Sequence, residues 1–172
     1  WGDIGSGFRA PTLNELYRRF SLGAAVTLPN PELGPERLTG GQVGVNVIPA
    51  SGVTWRTTWF DNRVKDPVAN VTVTPPSIVQ RQNLGRTRIW GLQTDVDYRI
   101  GQTLRISGAY IYDIAKVKEN SANPALVGKT LAQVPTHRGA FQVQYSDPRL
   151  VTIALDLQAS GDQFDDDLNT PS

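Results

Sequence analysis

The chain has no cysteine, which excludes disulfide staples and thiolate metal sites. It has one histidine, His137, so any Ser–His hydrolytic chemistry would have to run through that single imidazole. No apolar run approaches the roughly 20 residues of a membrane helix, and mean hydropathy is −0.30. Charge of one sign is not in excess either: 17 Lys+Arg stand against 16 Asp+Glu, for a net +1. The cations are scattered, which excludes a nucleic-acid footprint. No glycine-rich phosphate cradle is present. None of these absences excludes a membrane β-barrel, whose lipid-facing and lumen-facing residues alternate and average out.

What the chain does have is a two-residue rhythm. Between Ile89 and Ile100, Trp90, Leu92, Thr94, Val96, Tyr98 and Ile100 fall on one side, while Gly91, Gln93, Asp95, Asp97 and Arg99 fall on the other. Successive strand residues point to opposite faces, so this reads as a strand between an oily phase and a polar one. At about a dozen residues it is roughly twice the mean soluble strand and matches a tilted membrane-crossing strand. Further alternating segments run through Thr39–Ile48, from Val53 to Asn62, from Gln102 to Ile114, from Arg138 to Tyr145, and from Val151 to Gln158. The glycine-rich opening, Trp1 to Phe8, reads as the tail of one more.

The connections alternate in length. Pro49–Gly52, Gly101-Gln102 and Ser146–Arg149 are tight turns, whereas Arg9–Leu38, Val64–Arg88 and Ala115–His137 are long. Short turns on one side and long loops on the other suit periplasmic turns and extracellular loops. Charge agrees: Arg56, Asp95, Asp97, Arg99, Arg105, Asp113, Arg138 and Asp156 share the polar face, as expected where an Arg or Lys facing lipid costs about 2–4 kcal/mol at mid-depth. Asp61 and Arg63 fall on the apolar side, but at a strand's outer end. Trp55, Tyr98 and Tyr145 flank the short turns; Trp90, Tyr112 and Phe141 flank the other ends. Trp90 to Tyr98 spans about 26 Å of strand, or about 20 Å of depth at a tilt near 40°, close to the apolar band between aromatic girdles. Trp59 fits this less well, since it should lie nearer mid-depth. A soluble sandwich or lipocalin-like barrel, with its apolar side chains turned inward, is the alternative.

Gly7-Phe8-Arg9-Ala10-Pro11-Thr12-Leu13-Asn14-Glu15-Leu16-Tyr17 ends a strand at proline and then offers the S/T-x-x-E form of a capping box, predicting a short loop helix. The same wording resembles the GFRAPTLNELY signature of TonB-dependent outer-membrane receptors. Asn30-Pro31-Glu32-Leu33-Gly34-Pro35-Glu36 is similar to that family's NPxLxPE element. Asn83-Leu84-Gly85 with Ile89-Trp90-Gly91-Leu92-Gln93 resembles its N-x-G…G-x-E stretch, Gln93 standing where glutamate is usual. Gln163–Asn169 looks like a loop seen late in such barrels. The resemblance implies an all-β fold, a fragment of a transmembrane antiparallel up-and-down barrel of 22 strands with a plugged lumen. About seven of those strands would come from residues 1–172, with the plug, the TonB-engaging segment and the final strands outside the chain. Trp1 at the start and the polar Asn169-Thr170-Pro171-Ser172 at the end agree with an internal piece, expected to form an open, curved sheet with poorly ordered long loops. The implied role is uptake of a ferric siderophore or a cobalamin-like nutrient, energised through TonB, in the bacterial outer membrane, with no enzymatic activity; a passive porin-like channel is the alternative.

Within that frame, Arg56, Asp95, Asp97, Arg99 and Arg105 are lumen-facing candidates for plug or substrate contact, against simple charge pairing in a wet interior. Tyr17, Arg18, Arg19, Phe20, Arg81 and Arg86 are loop candidates for an anionic, aromatic ligand, through ion pairing and cation–π contact. Asp162, Asp165, Asp166 and Asp167 form the one acidic cluster. Carboxylates suit calcium, but the spacing is not that of an EF-hand, and a charged loop meeting lipopolysaccharide through shared divalent cations is the other reading. His137, after Pro135-Thr136, reads as a rim residue. No resident cofactor is expected.

Overall fold

The alternation of the sequence becomes, in a computed structural model, a ladder of long strands; residues 1–23, 25–75, 77–121 and 123–170 are described. Pro171 and Ser172 of the polar ending lie outside them. Along the chain come β1 (Gly2–Arg9), helix α1 (Leu13–Tyr17), β2 (Phe20–Leu22), β3 (Ala25–Leu28), β4 (Glu36–Ala50), β5 (Val53–Lys65), β6 (Val68–Thr74) and β7 (Ile78–Asn83). Then follow β8 (Arg86–Ile100), β9 (Leu104–Glu119), β10 (His137–Ser146) and β11 (Thr152–Ser160). Seven strands form one open antiparallel sheet in the order β1-β4-β5-β8-β9-β10-β11. Sequence neighbours within it are spatial neighbours, the up-and-down arrangement, and it does not close, so β1 and β11 present unpaired edges.

The strands outrun the alternation that announced them. β4 and β8 each have 15 residues and β9 has 16, because at the long-loop end both faces turn polar while the backbone ladder continues. The loops correct an expectation. Instead of irregular segments, two of them build a second sheet, β2-β3-β7-β6, in which β3 and β7 run parallel from Val26↔Ile78 to Leu28↔Gln80. Val71, Val73, Ile78 and Val79 supply the β-branched character, but the strands are too short for alternation to stand out.

Register separates the faces. Val47, Trp55, Val96, Gly108, Phe141 and Leu157 form one cross-strand row of the oily face, and Val53, Tyr98, Ile106, Val143 and Leu155 the next. Ile153 is 60% exposed and Leu155 56%, and none of the described residues packs over them. A continuous apolar face of this size is not a soluble surface, and the sandwich alternative, which needs those residues covered, is overturned. Thr57 and Thr94, two hydroxyls midway along this face, are satisfied within it: the two lie 3.0 Å apart, the Trp55 indole donates to Thr94 Oγ1 at 2.8 Å, and Thr94 donates to the Arg56 carbonyl at 3.2 Å. Trp59 is also corrected. It shares a cross-strand row with Leu92, Tyr112 and His137, and so joins the aromatic group of the long-loop end.

The small core lies at that same end, on the other face, where Val71, Leu84, Val117 and Leu126 pack with Ala69 and Leu131.

Candidate functional site

Three sequence motifs meet at the long-loop end of the sheet. Pro11 follows the end of β1, and Thr12 caps α1: its Oγ1 accepts from Glu15 N–H at 3.3 Å, and the Glu15 carboxylate accepts from Thr12 N–H at 2.7 Å. Arg9 then spans two carboxylates. Its Nη1 donates to both Glu15 oxygens at 2.9 and 3.1 Å, and its Nε and Nη2 donate to Glu36 at 3.0 and 2.6 Å. Glu36 also accepts from Val68 N–H at 2.7 Å. A planar guanidinium forking onto two carboxylates fixes direction as well as charge, so the Arg9 clamp joins β1, α1, β4 and the entry to β6.

The second and third motifs complete the latch. Asn30 N–H donates to the Glu15 carbonyl at 3.0 Å, its Oδ1 accepts from Glu32 N–H at 3.0 Å, and its Nδ2 donates to the Arg81 carbonyl at 3.0 Å. Asn83 pairs with the backbone of Gly34 in both directions, at 2.9 and 3.2 Å, and donates to the Asp66 carbonyl at 2.6 Å. Gly85 has φ +82, and a Cβ there would stand 2.6 Å from the Glu119 carbonyl oxygen; only glycine fits that approach. Sequence reasoning read these segments as signatures and missed that Arg9, Asn30, Glu36 and Asn83 bond to one another's segments.

Hydrogen bonds from Arg9, backed by Thr12 N–H, hold the Glu15 carboxyl at about 2 in spite of partial burial. A carboxyl whose folded value is depressed stabilises the fold above its unfolded value of about 4.3, and that contribution is lost as pH falls toward 2. With Arg9 43% exposed, screening trims the gain to about 1 kcal/mol. Arg9→Ala in the full-length protein is expected to speed amide hydrogen exchange across residues 10–35. It should also move the acid loosening of this segment up toward pH 4; exchange unchanged at neutral pH would refute the clamp.

Beneath the latch lies a cleft of about 550 Å³, lined among others by Glu15, Thr72, Arg81, Leu84, Leu126 and Asp165. Of the loop candidates only Arg81 lines it, its Nη1 also donating to the Asn14 carbonyl at 2.6 Å. Tyr17 and Phe20 are 67% and 51% exposed and bracket the exposed Arg18 and Arg19. Arg86 stands apart: it pairs with Glu119 at 3.1 Å and lies in one row with Lys65, on the oily side of the sheet.

The acidic segment is a tie. Asp167 accepts from Thr72 Oγ1 at 2.6 Å and from Thr72 N–H at 3.1 Å, Asp166 accepts from Thr170 N–H at 2.9 Å, and Asn169 exchanges bonds with the Thr130 backbone at 2.7 and 2.8 Å. Among the described residues no group of three His, Asp or Glu side chains converges to hold a metal ion. Most charges of the polar face are mutually paired: Arg56 with Asp95 at 2.7 Å, Asp97 with both Arg105 and Arg99, and Arg138 with Asp113 at 3.6 Å, while Asp156 accepts from Gln142 Nε2 at 2.6 Å. His137 Nδ1 is 2.6 Å from Tyr110 Oη, and the ring stacks beside Tyr110 and Tyr112, the surroundings of a rim residue.

Long antiparallel strands, an uncovered oily face, short turns at one end and latched loops at the other define the wall of an outer-membrane β-barrel. A family model described as TonB dependent receptor-like, beta-barrel, matches residues 1–172. The chain belongs to the TonB-dependent receptor family, as part of its barrel, and sits in the outer membrane; proteins of this family are transporters and receptors. It is 25% identical over 149 residues to the iron-regulated outer membrane virulence protein of Vibrio cholerae serotype O1, covering 79% of this chain and 22% of that protein. Its fold is similar to that of a variant of the ferric enterobactin receptor PfeA from Pseudomonas aeruginosa, with TM-score 0.68, 16% identity, and coverage of 95% of this chain and 25% of that one. It is also similar to the copper transporter OprC, with TM-score 0.62, 18% identity, and coverage of 86% and 21%. The chain spans about a quarter of the length of each.

Proposed function

We propose that residues 1–172 build part of the wall and extracellular loops of a receptor that imports a ferric siderophore, energised through TonB. The plug, the energy-coupling segment and the closing strands would be supplied by chain outside these residues. The oily face would meet lipid, and the paired charges Arg56, Asp95, Asp97, Arg99 and Arg105 would line the lumen. One observation carries the reading: three separate motifs converge on a latch that holds loop segments rigidly above a cleft open to Arg81. Loops on a rigid scaffold are where specificity resides, and exposed Tyr17, Arg18, Arg19 and Phe20 beside Arg81 suit an anionic, aromatic ligand by ion pairing and cation–π contact. The relative from Vibrio cholerae, iron-regulated by name, supports an iron cargo.

The test is uptake of radiolabelled iron from a panel of ferric siderophores by cells whose only receptor is the full-length protein, with and without functional TonB. Cobalamin and free copper complete the panel. Iron uptake that vanishes without TonB, and falls with Arg81→Ala, is the expected result. Uptake indifferent to TonB would turn the reading to a passive channel, and uptake of copper or cobalamin alone would overturn the cargo.

A further inference from the structure

The loop sheet ends on β6, and alternation sorts that strand's backbone into two sides. Leu84 N–H donates to the Pro67 carbonyl at 2.9 Å, so residues 67, 69 and 71 turn their backbone groups toward β7. An antiparallel ladder then turns those of Val68, Asn70 and Thr72 outward. Carboxylates take the two flanking amides: Val68 N–H donates to Glu36 at 2.7 Å and Thr72 N–H to Asp167 at 3.1 Å. Each carboxylate stands where the carbonyl of a further strand would stand. Between them, no hydrogen bond among the described residues engages the Asn70 N–H or the carbonyls of Val68 and Asn70. Four residues separate the capped amides, or about 13 Å of strand.

That open stretch borders the cleft of about 550 Å³: Val68, Asn70 and Thr72 line it, as do Leu131, Ala132 and Val134 from the loop after β9. An unpaired strand edge is a template for another strand, and here the template is closed at both ends and walled. Charge gives it a direction. Arg81, across the ladder from Asn70, reaches the Asn14 carbonyl beside Glu15, toward the Val68 end. Asp165 lines the cleft two residues from Asp167, at the Thr72 end. Among the described residues neither Arg81 nor Asp165 belongs to an ion pair. A strand lying antiparallel to β6 runs with its amino end at Asp165 and its carboxyl end at Arg81, so both charges match free termini. A loop of the receptor itself would bring neither terminus.

We propose that this slot binds a short peptide by strand addition to β6, four residues long, extended, antiparallel and with free termini. The second ligand residue donates its N–H to the Asn70 carbonyl and accepts the Asn70 N–H, and the fourth donates to the Val68 carbonyl, as the ladder geometry requires. The amino terminus meets Asp165 and the terminal carboxylate meets Arg81. Main chain supplies the binding, so ligand side chains are read only where they touch the cleft wall. The inference rests on the reading that this cleft takes a ligand, and it names peptide as the class. Iron plays no part in the binding, so peptide recognition and iron uptake can each fail while the other stands.

The experiment titrates tetraalanine into the full-length receptor in detergent by calorimetry, with amide hydrogen exchange of residues 68–72 followed alongside. Saturable binding that slows exchange at Asn70 is the expected result. A methyl on the nitrogen of the peptide's second residue should weaken binding roughly tenfold, the worth of a hydrogen bond. A methyl on the third, whose N–H points away from β6, should not. Asn70→Pro removes only an outward N–H from an edge strand, where proline is tolerated, and should weaken binding roughly tenfold as well. Asn70→Ala, which keeps the N–H, should bind as the parent does. Acetylating the peptide's amino terminus should weaken binding to the parent but not to Asp165→Asn, an arm that decides the matter even if the proline variant does not fold. Absence of saturable binding, equal binding of the two methylated peptides, equal binding by Asn70→Pro, or equal weakening of parent and Asp165→Asn by acetylation would each overturn the site. So would slow exchange at Asn70 before any peptide is added, the mark of an edge already covered by the receptor's own chain.

Discussion

Leu155→Arg in the full-length receptor is expected to cripple assembly into the outer membrane, while Gln158→Arg, three residues further along β11, is expected to leave it intact. Leu155 stands across from Val143 on the oily face, 56% exposed with Ile153 and Leu157 as its exposed neighbours, whereas Gln158 stands across from Ala140 on the face of the paired charges. An arginine held in the apolar band costs about 2–4 kcal/mol at mid-depth, a large share of the stability of an ordinary domain. On the polar face the same side chain stays hydrated. Heat-modifiable mobility of the barrel in outer-membrane fractions measures assembly directly. Equal behaviour of the two variants would mean that the faces have been assigned the wrong way round.

Gly91→Ala is expected to be the most damaging of the small substitutions. A Cβ on Gly91 would lie 2.0 Å from the Tyr112 carbonyl oxygen and 2.9 Å from the Phe60 ring. The ring can turn, but the carbonyl belongs to the adjacent strand β9, so relief requires prising β8 from β9. Overpacking typically costs about 1–3 kcal/mol, and an obstacle made of backbone puts this site at the upper end. Gly108→Ala is the matched comparison: its nearest neighbour would be the Ala140 carbonyl oxygen at 3.9 Å, an ordinary contact. Urea-induced unfolding of the two refolded receptors in detergent should separate them clearly. If both alanines are tolerated alike, β8 and β9 do not approach as described.

Strands and faces were legible because a strand's burial pattern is local: period two over Ile89–Ile100 says which side chains share a surface, whatever lies elsewhere. The capping box of α1 was legible for the same reason, its two partners being three residues apart. The strand ends were not, since near Arg37, Arg63 and Arg88 both faces are polar and the alternation fades while the backbone pairing goes on. The loop sheet escaped notice because β2 and β3 have three and four residues, too few to show a period, and because the β3–β7 pairing is set by a partner some fifty residues away.

By itself the sequence determined that this chain is a series of two-faced, membrane-length strands joined by alternately short and long connections, because lipid on one side and water on the other impose a period that any window reveals. Tertiary structure alone decided what the polar loop residues do. Arg9 meets Glu36 across 27 positions, Gly34 meets Asn83 across 49, and Thr72 meets Asp167 across 95. A hydrogen bond carries no periodic trace in the sequence: until the strands bring the segments together, a latching arginine or aspartate looks the same as a solvated one.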